Sequence, residues 1–129
     1  MTGEDGTKQI RVMIVDDHPD FRGLIEVLLS RQSDIKLVSQ AGSLVEGRAH
    51  AANSELDVAV LDLGLPDGDG VDLIADLRRA NPGVGLLILS ASLDAASVER
   101  ATEAHADEIM DKLAPLDEVL ATIRRLGSI

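Results

Sequence analysis

Three aspartates, a serine and a lysine stand at the ends of apolar runs. Asp16 and Asp17 close the first run, Asp62 closes the third, Ser90 closes the fourth, and Lys112 follows the fifth. Carboxylates that converge raise one another's proton affinity unless a cation lies between them. Oxygen ligands of this kind suit Mg²⁺ (or Mn²⁺), which keeps several waters and takes few protein ligands. A lysine adds a fixed positive charge and a serine a hydroxyl donor. A carboxylate needs little activation as a nucleophile once a metal and a lysine absorb the charge on a transferring phosphoryl group. The chemistry open to this set is therefore phosphoryl transfer to Asp62, giving an acyl phosphate that carries about −2 of charge. Taken singly, each residue has a plainer use: a strand-end Asp caps a turn, a Ser hydroxyl does the same, and a Lys is a solvated charge. Asp17, with Pro19 after it, suits the start of a helix. Only the whole set, in this order, points to chemistry.

Such residues need a scaffold that brings them together. Short β-branched runs at Ile10–Val15, Ile35–Val38, Val58–Leu61 and Val84–Leu89 read as strands buried on both faces. The more polar Glu108–Met110 reads as an edge strand. Helical patterns lie between them. Phe21, Leu24, Ile25, Leu28 and Leu29 share one face, as do Leu116, Val119, Leu120 and Ile123. Ser43 with Glu46 forms a capping box for a helix through about Asn53. Val71–Ala80 is stopped by Asn81-Pro82-Gly83, and Pro115 and Gly127 bracket the last helix. Ala95–Ala104 has good helix propensity, but Val98 is its one large aliphatic residue, so it should dock weakly. This alternation predicts an α/β fold: a flavodoxin-like, doubly wound (βα)5 domain with a five-stranded parallel sheet in the order 2-1-3-4-5. In that order strands one and three are neighbours. Asp16, Asp17 and Asp62 then meet in the crevice at the carboxyl ends of the strands.

The 129 residues suit one domain, read here as a flexible tail over residues 1–9 and a folded unit over residues 10–127. Apolar residues make up 45% of the chain and Phe21 is the single aromatic, so Leu, Ile, Val and Ala must build the core. A net charge of −11 argues against gripping nucleic acid directly. The absence of cysteine excludes disulfides and thiolate chemistry. No apolar run approaches the roughly 18 residues of a membrane span, and the polar N-terminus lacks a signal-peptide pattern, so a cytoplasmic protein is expected. His18, His50 and His105 are too scattered for a metal triad, and His18 reads as a helix-start residue. Asp67-Gly68-Asp69-Gly70 hints at a calcium loop but lacks the spacing and closing Glu of an EF-hand.

The segment Val12-Met13-Ile14-Val15-Asp16-Asp17-His18-Pro19, with Phe21-Arg22, resembles the opening of response-regulator receiver domains, most closely the subfamily with a LuxR/NarL-type output. Leu61-Asp62-Leu63-Gly64-Leu65-Pro66-Asp67-Gly68-Asp69-Gly70 resembles the family's phosphoacceptor loop, and Leu89-Ser90-Ala91 and Lys112 fill its remaining positions. The match runs from about Ile10 to Leu126. The resemblance implies that Asp62 accepts the phosphoryl group and that Asp16, Asp17, Asp62 and the carbonyl of Gly64 hold the metal. Ser90 and the amide of Ala91 would contact the phosphoryl group, with Lys112 paired to it. It further implies a sensor histidine kinase as donor, a phosphorylation-linked homodimer, and transcription regulation through a DNA-binding domain outside these residues.

The chain departs from the family pattern in several places. The inward-turning aromatic on strand five is Ile109, the usual Gly ahead of that strand is His105, the apolar residue before the lysine is Asp111, and the following Pro is Leu113. Gly64 offers no side chain above the phosphoryl site, which predicts a short phosphorylated lifetime. A stand-alone receiver or a pseudo-receiver that keeps the fold without phosphorylation is the alternative among signalling modules. An aspartate-nucleophile phosphatase is the enzymatic one. It needs an acid two residues after the nucleophile, where this chain has Gly64.

Overall fold

A computed structural model describes residues 8–128. Most of the expected N-terminal tail, residues 1–7, lies outside them. The apolar runs form β1 (Ile10–Val15), β2 (Ile35–Ala41), β3 (Val58–Leu61), β4 (Gly85–Ser90) and β5 (Glu108–Asp111). All neighbours are parallel, in the order β2-β1-β3-β4-β5, as the sequence pattern predicts. Between them run α1 (Pro19–Ser30), α2 (Leu44–Asn53), α3 (Ile74–Ala80), α4 (Ala95–Glu103) and α5 (Leu116–Gly127).

Alternate residues of each strand serve opposite faces. Met13, Val15, Leu61, Leu86 and Ile88 pack with Leu44, Leu73, Ile74 and Leu77 from the α2/α3 side. Val12, Ile14, Val60, Leu87 and Leu89 pack with Ile25, Leu29, Val119 and Ile123 from α1 and α5. Each large aliphatic side chain buried this way contributes about 1.5–3 kcal/mol.

Several elements differ from the sequence expectation. Ile35–Val38 was expected to be buried on both faces, yet β2 is an edge strand that continues to Ala41 with a half-buried middle. Its composition matches a central strand; its place in the order exposes it. The fourth strand is shifted by one residue, to Gly85–Ser90. The third helix is entered through a 3₁₀ turn at Gly70–Leu73, whose first donor is taken by Asp69 Oδ1 at 3.0 Å from the Val71 amide. In α4, Val98 does not form the docking face; Ser97 and Ala101 are buried instead.

Candidate functional site

Backbone hydrogen bonds hold the crevice open at the strand ends. The Asp16 amide donates to the Ala41 carbonyl at 2.9 Å, and the Asp62 amide to the Val15 carbonyl at 2.9 Å. Each extends the ladder one residue beyond its strand. The Lys112 amide donates to the Ser90 carbonyl at 3.0 Å. Arg22, from α1, donates through Nη1 to the Asp16 carbonyl oxygen. These bonds bring β1, β3, β4 and β5 to one rim.

Asp16, Asp17, Asp62 and Lys112 are brought together there. Asp16 and Asp62 are buried, 2% and 5% exposed, while Asp17 is partly exposed. The Lys112 ammonium reaches between the buried pair, 2.7 Å from Asp16 Oδ2 and 3.0 Å from Asp62 Oδ2. It also lies 4.7 Å from the centre of the Phe21 ring, a cation–π contact. Burial opposes the charge on Lys112. Its hydrogen bonds to Asp16 and Asp62, with their negative charge, outweigh that and hold its pKa above the ordinary lysine range. The lysine thus keeps its charge in a half-buried place.

The donor set fits a hard divalent cation. Carboxylate oxygens of Asp16, Asp17 and Asp62 lie within 4.8 Å of one another. Asp17 Oδ1 is buried and takes no hydrogen bond from the described residues, so its lone pairs are free for an ion.

The remaining residues singled out in the sequence stand around this cluster. Ser90 is buried at the end of β4, and its Oγ accepts from the Ser92 amide at 3.3 Å, so it is bonded within its own loop. Ala91 follows as an exposed bend. Gly64 is exposed, and its amide approaches Asp62 Oδ1 at 3.4 Å. Ile109 packs half-buried against the α2/α3-side core. Asp111 has a local use: its Oδ1 accepts from the Leu113 amide at 2.7 Å and shapes the turn into α5. Leu113 itself is 91% exposed.

Sequence reasoning missed two contributors. His18, expected only as a helix-start residue, precedes α1 but also turns its Nδ1 towards the carboxylates, 3.1 Å from Asp16 Oδ1. Its adjacency to Asp16-Asp17 was the available signal. Asp67 accepts from the Leu44 and Val45 amides at 2.8 and 3.1 Å, tying the loop after β3 to the start of α2. Those bonds hold the Asp67 carboxyl below the usual carboxylate range.

Residues 12–124 match the family model described as the response regulator receiver domain. The chain is 35% identical over 113 residues to the KDP operon transcriptional regulatory protein KdpE of Escherichia coli, covering 88% of this chain and 49% of that protein. The chain therefore spans about half the length of that curated relative. The signal receiver domain of the response regulator NarL from Mycobacterium tuberculosis superposes with a TM-score of 0.86 at 26% identity, covering 94% of this chain and 98% of that one. A response regulator from Burkholderia pseudomallei, solved with a phosphorylated aspartic acid, a calcium ion and citrate, gives a TM-score of 0.81 at 25% identity, covering 93% and 69% of the two chains.

Proposed function

The chain belongs to the response regulator receiver domain family, and on that premise we propose that Asp62 accepts a phosphoryl group from a phosphohistidine on a sensor histidine kinase. The observation that carries this reading is Lys112, half-buried beside Asp16 and Asp62 and bonded to both carboxylates. In the transfer, an Asp62 carboxylate oxygen forms the new bond to phosphorus as the phosphorus–nitrogen bond of the donor breaks. The bonding pair stays on that nitrogen, and the proton carried by the other ring nitrogen leaves the kinase histidine neutral. Lys112 offsets the charge on the arriving phosphoryl oxygens. Asp16, Asp17, Asp62 and the Gly64 carbonyl would hold Mg²⁺ (or Mn²⁺), which when bound offsets further charge on those oxygens. Ser90 exchanges its bond to the Ser92 amide for one to a phosphoryl oxygen, and the Ala91 amide supplies another donor. The phosphorylated aspartic acid of the Burkholderia protein and its calcium ion supply a parallel for both the acceptor and the cation.

The output is a change of partner, not of substrate: phosphorylation shifts a pre-existing equilibrium of the α4–β5–α5 face and with it homodimerisation. Transcription regulation follows through a DNA-binding domain beyond these 129 residues, as in a cytoplasmic regulator. No helix among the described residues is long and apolar enough to cross a membrane. A signalling module rather than a phosphatase is favoured because Gly64 offers no acid to protonate a leaving group.

The test is intact mass after incubation with acetyl phosphate and Mg²⁺. One added phosphoryl group, absent in Asp62→Asn, is the expected result. No adduct from acetyl phosphate or from the cognate kinase leaves a pseudo-receiver, the reading that Ile109 in place of an aromatic switch residue favours.

A further inference from the structure

Resting on the cation site proposed above, we propose that His18 is a further ligand of that site. It extends the site's preference from Mg²⁺ towards borderline ions that accept imidazole nitrogen, such as Co²⁺ and Zn²⁺.

The ring nitrogen sits where a neighbouring ligand belongs. His18 Nδ1 is 3.1 Å from Asp16 Oδ1, 3.3 Å from Asp17 Oδ1 and 3.9 Å from Asp62 Oδ2. Two adjacent ligands at a bond length of about 2.1 Å stand roughly 3.0 Å apart around an octahedral ion and roughly 3.4 Å apart around a tetrahedral one. Ligand atoms from Asp16, Asp17, His18 and Asp62 all fall within 4.8 Å of one another. The imidazole makes the set chemically different from carboxylates alone. Oxygen-only sites suit Mg²⁺, whereas a nitrogen among them favours the later first-row ions.

Local structure sets the ring nitrogen at the edge of the cluster, where it is held by Asp16 and Lys112. His18 holds the capping position ahead of α1, yet its side chain makes no capping bond. Its own amide donates to Asp16 Oδ1 at 2.8 Å, which anchors the backbone beside the pocket. Lys112 Nζ lies 3.2 Å from Nδ1. An ammonium has only donors, so in the tautomer protonated at Nε2 the lone pair of Nδ1 accepts from Lys112, and an ion bound here takes that lone pair in place of the ammonium. Asp17 Oδ1, buried and without a hydrogen bond, is a neighbouring ligand atom left free by the fold.

The experiment is calorimetric titration of the full chain with Mg²⁺ and, separately, Co²⁺, with the visible absorption of Co²⁺ recorded in parallel. Wild type, His18→Ala, His18→Asn and Asp17→Asn are compared. The expected result is that both His18 variants weaken Co²⁺ binding by about tenfold or more and alter its absorption bands. Their Mg²⁺ affinity stays within about twofold of wild type, because Mg²⁺ takes oxygen ligands. Asp17→Asn weakens both ions, which places the Co²⁺ signal in this pocket rather than at His50 or His105. Unchanged Co²⁺ affinity and spectrum in the His18 variants, or equal losses for both ions, overturns the role of His18 alone. Mg²⁺ binding that is absent from wild type, or intact in Asp17→Asn, instead overturns the cation site on which it rests.

Discussion

Gly70 lies directly against the peptide of Asp62: a Cβ built on Gly70 would stand 1.9 Å from the Asp62 carbonyl oxygen. The Gly70 amide also donates to the Leu63 carbonyl at 2.8 Å, so the loop after β3 folds back onto its own start. The obstructing atom is backbone and cannot rotate away. Gly70→Ala is therefore expected to displace the Asp62 peptide and to destabilise the fold by about 2–3 kcal/mol, the upper end for overpacking. Chemical denaturation reads the loss, and the yield of acetyl phosphate adduct falls with it. Wild-type stability and adduct yield in Gly70→Ala would show that the loop tolerates a side chain there.

At the opposite end of the sheet, Asp57 anchors β3 to β1. It accepts from the Arg11 amide at 2.8 Å, from Nε at 3.1 Å and from Nη2 at 3.2 Å. The Arg11 side-chain bonds are the main cause of an Asp57 pKa below the ordinary 3.8, against the opposing effect of burial. A carboxyl whose pKa is lowered by folding stabilises the protein above its unfolded pKa and ceases to do so as pH falls through the folded value. Asp57→Asn is expected to cost about 1–2 kcal/mol at pH 7. The gap to wild type should narrow below about pH 4 and close as the acid finishes titrating. Urea unfolding at pH 7, 4 and 3 follows it. A gap that is constant across those pH values would assign the loss to packing instead.

Much of this architecture is legible in the sequence, for a physical reason: a strand buried on both faces needs a continuous β-branched run, and the runs that end in Asp16 and Asp62 supply it. Composition marks position in the sheet at one edge, the polar Glu108–Met110, but not at the other. Ile35–Val38 has the same character as a central strand and still lies at an edge. The carboxylates and Lys112 were legible because each ends or follows an apolar run. His18 was not, because its partners are aspartates rather than other histidines. Gly70 appears in the loop motif, but only the folded chain shows that a backbone carbonyl fills the space its side chain would need. Asp67 and Asp69 hint at a calcium loop in the sequence and Asp111 stands out as a departure from the family pattern, whereas in the fold each satisfies a nearby amide.

His105 has φ +67°, the left-handed region, and holds the position where the family usually has Gly. A residue with a Cβ costs roughly 1–2 kcal/mol there, and the side chain is exposed, so little packing offsets it. Glycine removes the strain but adds about 0.4–1 kcal/mol of unfolded-state freedom. His105→Gly is expected to raise stability by about 0.5 kcal/mol, seen as a higher denaturation midpoint at unchanged m-value. A lower midpoint would mean that the loop draws on the imidazole.

Arg100 and Asp69 join α4 to the loop that carries Asp62, with Nε 2.9 Å from Oδ2. Within α4 only Ser97 and Ala101 are buried, so this exposed pair supplements a thin apolar contact. Exposed pairs of this kind contribute about 0.5 kcal/mol, which corresponds to roughly a twofold change in an opening equilibrium. Amide exchange is expected to be faster in α4 than in β1, β3 and β4, and Arg100→Gln should speed it roughly twofold in α4 alone. Exchange in α4 as slow as in the central strands would show that the helix docks by means other than these contacts.

Gly64 stands two residues beyond Asp62 with open space on its side-chain side: a Cβ built there meets no atom within 4 Å. A side chain can therefore be added without disturbing the fold. Hydrolysis of an acyl phosphate needs water to reach phosphorus opposite the bond that breaks, and nothing at Gly64 limits that approach. Gly64→Asn places an amide over the same space and is expected to lengthen the phosphorylated lifetime severalfold while leaving the denaturation midpoint unchanged. Decay of the phosphorylated mass after removal of acetyl phosphate measures it. A decay rate equal to that of wild type would show that water reaches the acyl phosphate from a side that Gly64 does not border.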